Sequence, residues 1–262
     1  MIVSGIFDPI SQKELQELLQ IRRKNHLRDL EVSVYGEGVL DIAERRRLLV
    51  LALKPYRHMH VVDEEGEHLE SIDEEKIRQG EFRLAAKGIR KELIEKNHYL
   101  DVIVDAMCKP SRAAHSRRVA QVCRELAHVH HLDEAKAYRM GMLHDITKKW
   151  SDEEGEKVLK IHDPKQLSVS PKVWHSFTAV YWLKENMGLH DPTVLNAIYH
   201  HTIGDGRSLY DHILYIADKI EPGRGYDVSR QRKAAEENLV RAAAMILAES
   251  KAYIFEKEGI HV

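Results

Sequence analysis

Cysteine is scarce in this chain, which has only Cys108 and Cys123 among its 262 residues. Two cysteines form no disulfide framework, so we expect a reducing, cytoplasmic location. No stretch approaches the roughly 20 apolar residues that a membrane-spanning helix needs. The first residues also lack a basic region followed by a long apolar stretch, so we expect no secretory signal. These absences argue against disulfide-rich and membrane-spanning classes of protein.

The chain also lacks an excess of charge of either sign. It has 40 basic and 42 acidic residues, which leaves a formal net charge of -2. A general nucleic-acid binder would need a strong positive excess, and we therefore expect no nucleic-acid partner. A small anionic substrate held by a local basic patch remains compatible with this balance. The length suffices for one large or two ordinary domains.

Short apolar stretches alternate with helical periodicity in the first hundred residues. Apolar runs that predict strands occupy residues 1–7, 31–35 and 59–62. Between them, residues 11–19 and 40–53 repeat apolar side chains at helical spacing. Strand, helix and strand joined by short connections predict a small parallel α/β sheet.

The segment Gly5-Ile6-Phe7-Asp8-Pro9 is similar to the opening of the nicotinate-nucleotide adenylyltransferases. Residues 44–49, 60–64 and 72–78 extend this resemblance. The two phosphate-binding histidines of that family are replaced here by Ser11 and Glu14, and further acids stand at Asp73, Glu74 and Glu75. A carboxylate repels phosphate, so the resemblance implies a truncated, catalytically inactive adenylyltransferase-like domain in residues 1–98. An unrelated small α/β domain is the alternative.

From residue 99 to residue 262 we predict a second domain that contains only helices. Apolar spacing predicts helices over the following ranges: 111–131, 133–147, 171–187, 192–202, 208–220 and one long helix over 229–256. Residues 150–170 are predicted to form a loop with a short helix, because Gly155 and Pro164 interrupt them. The expected architecture is therefore a small α/β domain followed by an all-α bundle.

Histidine and aspartate recur along the predicted bundle, at or near helix ends. His144 and Asp145 are adjacent, so their side chains could bind two metal ions at once. The further candidate ligands are His115, His175, His200 or His201, and Asp218. A mixed set of imidazoles and carboxylates suits first-row transition metals better than Ca²⁺ or Mg²⁺ alone. Each histidine alone could be an ordinary packing residue, but the ordered set favours a metal site.

The order His, His-Asp, His, His, Asp resembles the HD superfamily of metal-dependent phosphohydrolases. The closing stretch, residues 215–224, makes the chain especially similar to the YqeK-type symmetrical diadenosine-tetraphosphate hydrolases. That resemblance implies cleavage of diadenosine tetraphosphate into two ADP by a metal-bridging hydroxide. It also implies a dinuclear centre, with iron favoured over manganese, cobalt or zinc. Because Thr202 follows His201, as in the family, His201 is preferred over His200.

The resemblance assigns a role to each candidate. His115, His144, Asp145 and Asp218 would hold one ion; Asp145, His175 and His201 would hold the other. Lys148 and Arg224 would neutralise charge on the phosphate oxygens, beside the catalytic Asp145. Thr202 and Gly204 would line the phosphate channel.

Three other functions compete with this hypothesis. Another HD-type nucleotide phosphohydrolase would use the same chemistry on a different nucleotide. In a nucleotide-sensing scaffold with an inactive HD site, neither domain would catalyse a reaction. The complete set of candidate ligands argues against this function. Adenylyl transfer by the first domain is the third, and Ser11 and Glu14 argue against that. The chain could act alone or as a homodimer, and we expect no membrane partner.

Overall fold

The computed structural model describes residues 1–258, and they form two compact units. One unit comprises Met1–Ile103 with Glu185–Gly188, and the other comprises Val104–Lys184 with Leu189 onward. The first holds a small parallel sheet and the second is helical, so the predicted fold class is confirmed. The domain boundary placed between residues 98 and 99 stays a prediction.

The first unit is organised on four parallel strands in the order β3-β2-β1-β4. They are β1 (Ile2–Gly5), β2 (Leu30–Val34), β3 (Met59–Val61) and β4 (Glu67–His68). In register, Val3 of β1 lies opposite Val32 of β2, and both side chains are buried. The sequence did not predict β4, because two exposed residues give no alternating apolar pattern.

Helices join these strands and cover the sheet. They are α1 (Gln12–Lys24), α2 (Ile42–Leu53), α3 (Glu74–Arg78) and α4 (Arg90–Glu95). Ser11 caps α1 and forms a reciprocal capping box with Glu14, while Asp41 caps α2 through the amide of Glu44. Leu15 and Leu18 of α1 are buried, and they fix the face that α1 turns to the core.

The bundle that follows is built from nine helices of the described chain. They are α5 (Leu100–Met107), α6 (Pro110–Val129), α7 (Glu134–Leu143), α8 (Asp152–His162), α9 (Trp174–Trp182), α10 (Pro192–His200), α11 (Leu209–Ile220), α12 (Ser229–Glu237) and α13 (Leu239–Glu258). Side-chain caps start several of them, at Asp133, Ser151, Asp191 and Ser208. Helix starts are thus encoded locally, as the cap residues suggested.

Two predicted segments of the bundle were wrong in detail. The long helix expected over 229–256 is broken at Asn238, whose backbone is extended. The Asn238 side-chain oxygen accepts from the amide of Arg241, so this residue starts a new helix instead of continuing the old one. Residues 150–170 contain the three-turn helix α8, because Ser151 and Glu154 form a capping box and Gly155 is tolerated inside it. No helix among the described residues is both long and apolar enough to span a membrane.

Candidate metal centre

Two groups of three side chains lie close enough to hold a metal ion each. His115, His144 and Asp218 form one group, and His144, Asp145 and His201 form the other. Within each group the ligand atoms lie within 4.8 Å of one another, and all five residues are buried. The structure therefore brings together side chains that are up to 103 residues apart in sequence.

The two carboxylate oxygens of Asp145 face different partners. Its Oδ2 atom lies 3.4 Å from Nε2 of His144 and 3.9 Å from Nε2 of His115. Its Oδ1 atom lies 3.1 Å from Nε2 of His175 and 3.7 Å from Nε2 of His201. His175 is thus also placed at the site, on the Oδ1 side. Asp218 lies on the other side, with its Oδ1 atom 3.1 Å from Nε2 of His115.

Hydrogen bonds fix which nitrogen of each imidazole faces the site. Nδ1 of His144 donates to the carbonyl oxygen of Gly141 (2.7 Å), and Nδ1 of His201 donates to that of Ile198 (2.7 Å). Nδ1 of His115 donates to a carboxylate oxygen of Glu221 (3.1 Å). With Nδ1 protonated in each ring, Nε2 carries a lone pair that can bind a metal.

Burial and charge set the protonation of these groups. Desolvation lowers the pKa of His175 to about 4 and also lowers that of His201, so both rings are neutral near pH 7. Burial opposes ionisation of Asp145, but the charge and hydrogen bonds of the surrounding histidines hold its pKa well below the ordinary value. Neutral imidazoles of His175 and His201 beside the ionised carboxylate of Asp145 are protonation states that suit metal binding on that side. Although burial opposes it, the charge of Asp145 raises the pKa of the buried His144.

Close packing of α6 on α7 creates this arrangement. A Cβ atom on Gly141 would lie 2.4 Å from the Cα atom of Ala120, closer than real contacts allow. Glycine at this position lets α7 approach the backbone of α6. His144, at the end of α7, can therefore come to within 5.4 Å of His115 of α6, measured between ring centroids.

Cationic side chains surround the two groups. Nη1 of Arg112 donates to Oδ2 of Asp145 (2.9 Å), and Nζ of Lys219 donates to Oδ2 of Asp218 (2.9 Å). Arg224 donates to both the carbonyl and the carboxylate of Asp218. Nζ of Lys148 lies 3.1 Å from Nδ1 of His175, and desolvation lowers the pKa of this lysine. The predicted phosphate contacts of Lys148 and Arg224 stay predictions, but both cations lie at the candidate ligands.

The remaining predicted residues have local contacts that the structure defines. His200 turns away from the site and pairs with Asp205, with Nδ1 to Oδ1 at 2.7 Å. The hydroxyl of Thr202 lies 3.1 Å from that of Ser176. Gly204 has φ +76, and a Cβ atom there would lie 2.7 Å from the Tyr215 ring. Packing alone thus explains why glycine stands at Gly204, and its place in a phosphate channel stays a prediction.

Glu221 and Arg118 support the site, although the sequence interpretation gave them no role. Glu221 is 2 % exposed, and its second oxygen accepts from Nε of Arg118 (2.5 Å) and from the amide of Gly223 (2.6 Å). Although burial opposes it, these contacts and His115 lower the pKa of Glu221 to about 2. Each residue follows a predicted ligand by three positions, but this spacing alone does not show that Glu221 and His115 meet across 106 residues.

The structure passes a simple test of whether a metal would fit. Nε2 of His115 and Nε2 of His144 are buried and have no hydrogen-bond partner among the described residues. A buried polar atom without a partner is costly, and a metal ion is a natural partner for an imidazole lone pair. The donors are nitrogen and carboxylate oxygen, which suits first-row transition metals.

The acids that replace the nucleotide-binding histidines serve the fold of the first unit. Glu14 closes the capping box of α1, is 1 % exposed and lies beside Glu74, which is 3 % exposed. Burial and this second carboxyl raise the pKa of Glu14 to about 8. Asp73 pairs with Lys13 (2.8 Å), and Glu75 pairs with Arg78 (3.0 Å). Each acid therefore has a structural partner.

Comparison with known proteins identifies the helical part of the chain. Residues 112–223 match the family model described as HD domain. A crystal structure from Clostridium acetobutylicum, described as a predicted HD superfamily hydrolase involved in NAD metabolism, matches with a TM-score of 0.57 and 30% identity. That match covers 62% of this chain and 88% of the other.

Two kinds of curated relative are similar to the chain. One, from Mycoplasma pneumoniae, is named probable nicotinate-nucleotide adenylyltransferase/Ap4A hydrolase and is 32% identical over 174 residues, 63% of this chain and 50% of the relative. Another, from Bacillus subtilis, is named symmetrical bis(5'-nucleosyl)-tetraphosphatase and is 29% identical over 150 residues, 56% of this chain and 81% of the relative. The chain thus spans about half the length of the first of these relatives.

Proposed function

The chain belongs to the HD domain family, and from this we propose that it is a metal-dependent hydrolase that cleaves diadenosine tetraphosphate symmetrically into two ADP. The residue types at the centre support phosphate chemistry, since imidazoles and ionised carboxylates lie among four cations. The names of the relatives support the substrate and the symmetry of cleavage.

The observation that carries this proposal is the position of Asp145 between two sets of histidines. One carboxylate oxygen faces His115 and His144, and the other faces His175 and His201. In the proposed centre, Asp145 would serve both sets of ligands, and Asp218 would complete the first set. Iron is the favoured metal, with manganese, cobalt or zinc as alternatives of suitable ligand preference.

The ions, once bound, would supply an activated water and polarise the phosphoryl oxygens. The protein contributes the geometry and the charge around them. Nδ1–H bonds hold the rings of His115, His144 and His201 so that Nε2 faces the site. Lys148 and Arg224, which contact His175 and Asp218, would balance the negative charge that builds on the phosphate during hydrolysis.

We propose no adenylyl transfer by the first unit. The positions that hold phosphate-binding histidines in the adenylyltransferases carry Ser11 and Glu14, which form a helix cap. Glu14 is buried and holds its proton near pH 7, so it supplies no cation or imidazole for a nucleotide phosphate. Incubation with ATP and nicotinate mononucleotide should yield no dinucleotide, and formation of one would contradict this assignment.

Product analysis tests the proposed function. The full-length protein is supplied with Fe²⁺ or Mn²⁺ and diadenosine tetraphosphate, and the products are separated by anion-exchange chromatography. We expect ADP alone. Equal amounts of AMP and ATP would contradict symmetrical cleavage, and a metal-loaded but inactive protein would point to other phosphate esters.

A substitution ties that activity to the centre. His144→Ala should abolish hydrolysis and reduce the metal content, because His144 belongs to both ligand groups. His128→Ala is the matched control, since His128 is exposed and pairs with Glu134. Retained activity in the first variant would place the reaction elsewhere.

A further inference from the structure

Four cationic residues line one cavity of the helical unit. The cavity has a volume of about 280 Å³ and is lined by Cys108, Lys109, Ser111, Arg112, Lys148 and Lys149. None of these six residues is acidic. A liquid water occupies roughly 30 Å³, so the cavity has room for several groups of that size. Its lining therefore suits an anion larger than one water.

The outer lysines of the cavity have no acidic partner. Nζ of Lys149 donates to the carbonyl oxygen of Ala106 (2.6 Å), which carries no net charge. Neither Lys149 nor Lys109 forms an ion pair with any residue between 1 and 258. Two lysines without an opposite charge beside them, at one cavity, leave a local positive potential there.

A helix end adds to this potential. Helix α6 has 20 residues and begins at Pro110, with Lys109 as its N-cap. No side chain caps it, and its first turn holds no acid. Pro110 has no amide hydrogen and the amide of Arg112 donates to the carbonyl of Lys109 (2.8 Å), so the helix end acts here mainly through the partial positive charge of its dipole. The lysines and the helix end thus favour an anion at the same place.

The inner wall of the cavity contacts the candidate metal centre. Nη1 of Arg112 lies 2.9 Å from Oδ2 of Asp145, and Nζ of Lys148 lies 3.1 Å from Nδ1 of His175. Two lining residues thus touch ligands on the two sides of Asp145. A phosphate chain with one group at the centre could continue into this cavity.

A second cavity, on the other side of Lys148, differs in character. Its volume is about 450 Å³, and its lining includes Trp150 and Trp174 besides Lys148 and His175. The basic cavity has no aromatic side chain on which a nucleobase could stack, and its one guanidinium, that of Arg112, is held by Asp145. The chemistry of its lining therefore points to phosphate and not to a nucleoside.

We propose that the cavity lined by Lys109, Arg112, Lys148 and Lys149 is a polyphosphate subsite, which holds the phosphates of the substrate that lie beyond the cleaved bond. This inference rests on the proposed function for its substrate and names residues that bind its phosphate chain. Lys109 and Lys149 are the new binding residues. They would favour substrates with a long phosphate chain over simple phosphate esters.

Binding of inorganic tripolyphosphate tests the subsite without catalysis. The full-length protein is depleted of metal, checked for its helical circular dichroism signal, and titrated by calorimetry. The double variant Lys109→Ala/Lys149→Ala should bind tripolyphosphate about tenfold more weakly, because charge-assisted contacts to phosphate are lost. The double variant Lys109→Arg/Lys149→Arg keeps both charges and should bind within about twofold of the parent protein.

A matched control separates the subsite from the general charge of the protein. Lys157→Ala/Lys160→Ala removes the same two charges from α8, where these lysines pair with Glu153 and Glu156. This control should keep the parent affinity. Equal affinity in the parent and the Lys109→Ala/Lys149→Ala variant would overturn the proposal, as would an equal loss in the α8 control.

Kinetics separate this inference from the proposed function. In the metal-loaded protein, Lys109→Ala/Lys149→Ala should raise the ratio of KM for diadenosine tetraphosphate to KM for bis(p-nitrophenyl) phosphate about tenfold. An unchanged ratio would refute the subsite. A third outcome is that the parent protein hydrolyses no dinucleoside polyphosphate while the Lys109→Ala/Lys149→Ala variant still loses tripolyphosphate affinity. That outcome would support the subsite and refute the proposed function.

Discussion

Replacing Glu221 by glutamine should weaken one metal position selectively. Glu221 holds His115 through Nδ1 at 3.1 Å, and it is itself held by Arg118 and the Gly223 amide. Glutamine keeps the size of the side chain but removes the negative charge that strengthens this hydrogen bond. His115 would then be a weaker and less well oriented ligand.

The size of the effect follows from the position of Glu221 behind a single ligand. Loss of such a supporting carboxylate typically costs about 10- to 100-fold in metal affinity, which corresponds to about 1.4 to 2.8 kcal/mol. The ion held by His115, His144 and Asp218 should lose this affinity. The ion on the side of His175 and His201 should keep most of its own, because those rings make no contact with Glu221.

Competition with a chromophoric chelator measures the two affinities separately. The parent protein should release its ions at similar chelator concentrations, whereas Glu221→Gln should release one ion at a concentration about 10- to 100-fold lower. Glu125→Gln, which changes an exposed partner of Arg232, is the matched control. Equal affinity of both ions in a folded Glu221→Gln protein, or equal loss of both, would refute the reasoning.

Three further predictions concern the site and the fold. His201→Ala should abolish hydrolysis and the binding of one ion, because His201 faces Asp145. His200→Ala should retain hydrolysis and both ions, because His200 pairs with Asp205 instead. Elemental analysis and activity assays compare the two variants. Gly204→Ala should lower the free energy of unfolding by about 1–3 kcal/mol, because the residue has φ +76 and its new Cβ would meet the ring of Tyr215. Urea denaturation measures this change, and an unchanged unfolding midpoint would contradict the prediction. The pKa of Glu14 is raised from 4.5 to about 8, so the folded protein binds the extra proton and its stability should fall as pH rises from about 4.5 to about 8. Glu14→Gln should remove this slope and raise the stability at pH 8 by up to about 4 kcal/mol. Urea unfolding at pH 5.5 and 8 that shows the same slope in the variant as in the parent would refute this prediction.

The sequence predicted the candidate ligands because each one lies in, or directly after, a helix with a strong local signal. His144 and Asp145 follow α7, whose start Asp133 marks as a cap, and Asp218 lies on a clearly amphipathic helix. The parallel sheet was also predictable, since β1 to β3 are short apolar runs between turn residues. Local pattern was therefore sufficient for the fold class.

Contacts between distant parts of the chain were beyond the sequence pattern. Glu221 contacts His115 across 106 residues, and Arg112 contacts Asp145 across 33. Only packing of the helices shows that Glu221 lies behind a ligand. Asn238 illustrates the converse, since its side chain starts a new helix where the apolar pattern alone predicted continuity.

The metal content of the active protein tests the central claim most directly. Metal-depleted full-length protein is titrated with Fe²⁺ or Mn²⁺, and bound metal and hydrolysis of diadenosine tetraphosphate are measured at each step. The proposed ligand sets, which face the two carboxylate oxygens of Asp145, predict that activity reaches its maximum at two ions per chain and that ADP is the product. Full activity with a single ion, or activity that does not depend on added metal, would contradict the account.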